Sequence, residues 1–324
     1  MAGRVSENFD RQRDSIREMR LQTGIRVRWP LPRTNRNIPE PTSIGQVGQT
    51  SGTIPPPWKP SLIVAIPLPL VIVSVVVFNI ILPPPAQFSR GLAFEPPFLN
   101  AILYTVFLAF TSFMVGYISF KSYMQNGWPF LVLMGSGALT WGSTSLLSGW
   151  LTNLPSGPNA AITISNTGAL VASIFHTASA TWSRGPSLKK DPRIRRSILV
   201  LTYGSVLAFT SLFAVAAIEG MTPLFFVPGV GQTTLRMAVL GSAASLFAVS
   251  SILFARRYFS SRSRSSTLYW YFLALGLTGV GLAAVFFGRA PGDPISWTGR
   301  TAMFLGGVYF LKAVHTAFKG ISGH

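Results

Sequence analysis

Charge is scarce where this chain is apolar, so each charged residue there needs a reason. Residues 61–324 hold four acids: Glu95, Asp191, Glu219 and Asp293. One stretch, FFVPGVGQTTLR from Phe225 to Arg236, joins two long apolar segments. Pro228, Gly229 and Gly231 enforce a turn, and Thr233 and Thr234 suit a helix N-cap. Arg236 follows within the first turn of the next helix, and Glu219 lies near the end of the previous one. Folding the two helices together predicts a Glu219–Arg236 pair near a membrane boundary, where an unpaired charge is unfavourable. Such a pair is either a binding site or a staple between helix ends.

Other residues able to do chemistry fall at the same ends of the apolar runs: Glu95, Arg289, Asp293 and Arg300, with Trp150, Phe225, Phe226 and Trp297. Arginine clamps carboxylate or phosphate through its planar fork, and acids, guanidiniums and aromatics at a bundle mouth suit a small-molecule site. The candidate ligand-binding set is Glu219, Arg236, Arg300, Trp297, Asp293 and Phe226. Tryptophan at such a position also serves as a membrane anchor. His176 and His315 lie on different apolar segments at similar depth. They form either a pair of haem ligands or plain polar contacts between helices. With no cysteine in the chain, disulfides, c-type haem attachment and cysteine-held zinc or iron–sulfur centres are excluded. No kinase loop, catalytic cysteine or nucleophile elbow occurs. No enzyme and no metal site is expected, and the sequence assigns no cofactor.

The elements that must position these residues follow from the apolar pattern. Of 324 residues 48% are hydrophobic, and 27 bases against 9 acids give +18. Ten of the bases and five of the acids lie in residues 1–60. Beyond them, eight apolar runs near 61–82, 98–120, 129–151, 159–183, 197–219, 233–255, 268–288 and 299–318 reach the roughly 20 residues a membrane helix needs. They lack the alternating polarity of a barrel strand. The expected fold is all-α, an integral membrane bundle of about eight transmembrane helices. Pro67 and Pro69 predict a kink or late start in the first. The expected domains are a polar, Pro-rich arm over 1–60, the bundle over 61–318 and a short tail over 319–324. A solvated helix is expected near Ser6–Leu21, and prolines from Pro30 to Pro57 predict disorder over 22–57.

Basic loops set the orientation. Arg184, Lys189, Lys190, Arg193, Arg195 and Arg196 follow the fourth run, and Arg256, Arg257, Arg262 and Arg264 follow the sixth. Both loops share a side with the arm, so both termini are expected in the cytoplasm, in a multi-pass plasma-membrane protein. This placement explains the positive charge without a nucleic-acid partner. Glycines at 135, 142 and 149, at 281 and 288, and at 299 and 306 recur every two turns and predict close helix contacts.

Three stretches carry a resemblance. PNAAITISNTGAL (Pro158–Leu170), FFVPGVGQTTLRMAVLG (Phe225–Gly241) and STLYWYFLALGL with GDPISWTGRTAMFLGGVYFL (Ser266–Leu277, Gly292–Leu311) resemble the N-terminal multi-helix membrane sensor region of PAS-containing archaeal and bacterial histidine kinases. The similarity spans about residues 88–318. It implies a sensor of unassigned ligand. Such sensors continue into PAS and kinase domains, which this sequence does not contain, so the expected function is a sensor module without its output domain. The expected partners are the lipid bilayer, other membrane or cytoplasmic subunits, and a small-molecule ligand. A structural or assembly subunit of a larger membrane complex is the alternative, followed by a haem-binding or transporter-like protein.

Overall fold

The computed structural model describes residues 62–83, 94–96, 98–154, 157–182, 191–227, 231–261, 265–290 and 292–322, with side chains as far as 317. All of them belong to one compact unit, Pro55–His324. The arm over 1–60, with its expected helix and disordered linker, lies outside the described residues, as do residues 183–190.

Among the described residues the chain is all-α apart from one small hairpin. Its helices are α1 (Pro67–Ile81), α2 (Leu99–Asn126), α3 (Pro129–Leu151), α4 (Gly157–Trp182), α5 (Pro192–Ile218), α6 (Thr234–Ser260), α7 (Ser266–Phe287) and α8 (Pro294–Ser322). Strands β1 (Phe226–Val227) and β2 (Gly231–Gln232) pair antiparallel between α5 and α6. A 3-10 turn at Leu62–Ala65 precedes α1, which begins at Pro67, where the missing N–H costs nothing. Helix α8 continues to Ser322, so most of the expected tail over 319–324 is helical.

Six of these helices, α1, α2, α3, α5, α6 and α7, are long and apolar enough to cross a membrane. The chain is therefore a multi-pass membrane protein. Helices α4 and α8 have the length but not the composition: α4 carries polar side chains into the bundle, whereas on α8 Thr301, Lys312 and His315 are exposed. On α4, Thr163, Asn166, Ser173, His176 and Ser179 are all buried. Hydroxyls inside the bundle mostly bond the carbonyl one turn back, as Thr140 does to Ser136 and Thr144 to Thr140, which satisfies them without a partner helix.

Helix α7 packs on α8 and on α6, α3 on α4 and α2, and α4 on α6. Helices α3 and α7 are mostly buried, whereas α1 and α5 show most of their apolar surface to the outside. The glycine spacing marks the tightest seams. A Cβ on Gly299 would stand 2.5 Å from the Gly281 carbonyl, and one on Gly281 would stand 2.6 Å from that of Gly299. Along α3, Gly142 and Gly149 face Ala109 and Ala101 of α2 in the same way. Backbones approach this closely only where no side chain intervenes.

Candidate ligand-binding cavity

At one end of the bundle, where α2, α4, α6 and α8 begin, the helix ends surround a cavity of about 520 Å3. The hairpin forms one wall. The Asn159 side-chain carbonyl accepts from the N–H groups of Phe225 and Phe226, both at 3.1 Å, and so holds β1 on the first turn of α4. Gly231 at φ 103° turns the chain back in a region that suits glycine. The amide of Gln232 donates to the Gly288 carbonyl at 3.1 Å, joining the hairpin to the end of α7. Thr233 is the N-cap of α6, its hydroxyl accepting from Arg236 N–H at 3.3 Å. The cap fixes the first turn so that Arg236 faces inward, 9% exposed, with its Nε–H lacking any partner among the described residues.

Helix α8 supplies a second wall. Its N-cap, Asp293, is fully buried and accepts N–H bonds from Arg289 at 2.5 Å, Ala290 at 3.3 Å and Ser296 at 2.6 Å. Pro294 follows as the first helical residue. Gly292 is at φ 77°, and a Cβ there would stand 2.7 Å from the Phe94 carbonyl. This is a second position that needs glycine. The Arg289 guanidinium reaches back to α1, donating from Nε to the Pro83 carbonyl (3.1 Å), from Nη1 to Asn79 Oδ1 (2.9 Å) and from Nη2 to the Asn79 carbonyl (3.1 Å).

One turn further on, Arg300 pairs with Glu95, Nη2 to Oε1 at 2.8 Å. Asn100 closes the ring: its amide donates to Glu95 Oε1 at 2.6 Å, and its carbonyl oxygen accepts from Arg300 Nη1 at 3.2 Å. The Arg300 guanidinium also lies over the Trp297 ring, 5.0 Å from its centroid, and the indole N–H donates to the Phe94 carbonyl at 2.6 Å.

Of the six sequence-derived candidates, three line the cavity: Phe226, Arg236 and Arg300. Trp297 supports Arg300 from outside the lining and borders a separate apolar groove between α1 and α8. Asp293 is a helix cap. Glu219 stands apart: it ends α5, is exposed, and forms no ion pair with Arg236 among the described residues. The expected Glu219–Arg236 pair is therefore not made. Its premise was that α6 folds back beside α5. Instead α5 packs on α3, α4 and α2, while α6 packs on α7 and α4.

Sequence reasoning left Glu95 and Arg289 outside the candidate set, and missed Asn100, Asn166 and Gln232 altogether; all five line the cavity. Asn166 is 5% exposed, and its Nδ2 has no partner among the described residues. An amide two turns inside an apolar helix was the available signal, with Pro158, Ala161, Ile162 and Ser165 on the same face. Three guanidiniums thus face one carboxylate, and the Gln232 Oε1 is also buried and unpartnered among the described residues.

The two histidines do not share a site. His176 is 1% exposed, its Nδ1 bonded to the Tyr271 hydroxyl at 2.9 Å and its ring stacked against Phe310. His315 is on the exposed side of α8. Among the described residues no group of three or more metal-ligating side chains converges.

No family model, no curated protein and no solved structure matches this chain.

Proposed function

We propose that this chain is a membrane-embedded sensor module: an eight-span bundle with both termini in the cytoplasm of a plasma-membrane protein, whose cavity opens outward and takes a small ligand. The single observation behind it is that α8 forms the cavity wall with its first two turns and runs unbroken to Ser322. At 1.5 Å per residue, a helix of 29 residues extends about 43 Å, enough to join a site on one face to the other. On α4 the buried hydroxyls and the Asn166 amide face the bundle interior, where a membrane helix keeps its polar groups. Orientation rests on the basic residues at the start of α5 and the end of α6, the cytoplasmic signal.

A ligand moves such a helix only by binding two arrangements unequally. Arg300 is the coupling residue in this reading, because its Glu95 partner belongs to the segment before α2 and the guanidinium to α8. A partner protein in the cytoplasm would read the inner end of α8. The chain has no cysteine, so His315→Cys gives a single labelling position on the exposed side of α8. Adding Glu95→Gln is expected to change the emission of an environment-sensitive dye attached at that position in reconstituted protein. Unchanged emission, together with stoichiometric co-purifying subunits, would replace the sensor reading by that of an assembly subunit.

A further inference from the structure

The cavity walls are specific about what would fill them. Arg236 and Asn166 are each more than nine-tenths buried, both line the cavity, and each presents a donor that has no acceptor among the described residues. A buried donor left unmade is costly, so the natural complement is an oxyanion that enters from outside. The other two guanidiniums are committed, Arg300 to Glu95 and Arg289 to carbonyl oxygens. Among the described lining residues, only one cation is thus open for an incoming charge. The Nε edge of a guanidinium matches the two oxygens of a carboxylate, and one guanidinium balances one carboxylate. Arg289 keeps its charge, but its donors are taken up by neutral oxygens, so a phosphate dianion would find open hydrogen-bond donors on one guanidinium only.

The third unpartnered atom has the opposite polarity. Gln232 Oε1 accepts, while its amide nitrogen is used on Gly288. It calls for a donor on the ligand itself. The rest of the lining includes Ala161, Ile162 and Val285, which suit an aliphatic tail. We infer that the ligand is a small aliphatic monocarboxylic acid carrying its own hydroxyl or ammonium donor, held by Arg236 and Asn166 with Gln232 reading the donor. This rests on the sensor reading only for its consequence, not for its chemistry.

The test uses the full chain in detergent with four probes: L-leucine, its 2-hydroxy analogue, 4-methylpentanoate, which lacks the donor, and inorganic phosphate. At least one donor-bearing acid is expected to raise the melting temperature, and to bind about tenfold or more tightly than 4-methylpentanoate. Arg236→Gln should weaken it about tenfold or more. Asn166→Asp, which puts a carboxylate in the same cavity, should abolish binding while the protein still folds, so lost binding cannot be ascribed to misfolding. Stabilisation by phosphate alone overturns the carboxylate assignment, and no shift with any probe overturns the site. Binding of an acid without any change at a dye on the His315→Cys variant leaves the ligand assignment standing and removes the sensor reading.

Discussion

Replacing Gly299 by leucine is expected to cost about 3 kcal/mol or more and to unseat α8 from α7. The side chain has nowhere to go. Its first carbon already meets the Gly281 carbonyl at 2.5 Å and Ala284 Cβ at 2.9 Å, and both neighbours are helix atoms that cannot rotate away. Gly204→Leu is the control: nothing lies within 4 Å of its Cβ, so that variant should behave as the native protein. Detergent melting curves of the two would separate them. If both melt alike, the α7–α8 crossing is looser than the backbone contact requires.

His176 carries the second large effect. Its ring is enclosed by Phe247, Tyr271 and Phe310, and its Nδ1 is paired with the buried Tyr271 hydroxyl. A Cβ on Gly137 would stand 3.0 Å from the ring, so the glycine makes room for it. His176→Leu removes the polar partner and leaves the tyrosine hydroxyl unmatched. The expected loss is about 1–2 kcal/mol, at the upper end for hydrogen bonds between membrane helices. Adding Tyr271→Phe should recover part of it, because the unmatched group is then gone. A double variant no more stable than His176→Leu would mean that the hydrogen bond contributes nothing. A Soret band in native protein that disappears in His176→Leu would restore the haem reading.

Much of the architecture was legible because its causes are local. Apolar runs of spanning length, prolines at 67 and 69, threonine before α6 and the glycine spacing all act within a few residues, and the helices lie where those signals place them. Counting α4 and α8 among the apolar runs passed over the polarity that sets them apart from the other six helices. An inward-facing Asn166 looks the same in a sequence as one facing solvent. The Glu219–Arg236 pair failed for a related reason. Sequence adjacency suggested that α5 and α6 are neighbours, whereas packing puts α4 and α7 against α6. Glu95 found its partner 205 residues away in Arg300, a distance over which no spacing rule operates. Arg236 and Arg300 were recognisable because a guanidinium at a helix start is rare in an apolar chain. The amides that complete the cavity were not, since single Asn and Gln residues carry no pattern of their own.

The central claim is that the cavity and the inner end of α8 lie on opposite sides of a membrane. Two single-cysteine variants, Thr152→Cys on the cavity rim and His315→Cys on α8, test it in one experiment with an impermeant maleimide on intact cells. The Thr152→Cys variant is expected to label at once, and the His315→Cys variant only after permeabilisation. Labelling of both from outside, or of His315→Cys alone, would contradict the account, because α8 would then not connect an outer cavity to an inner face.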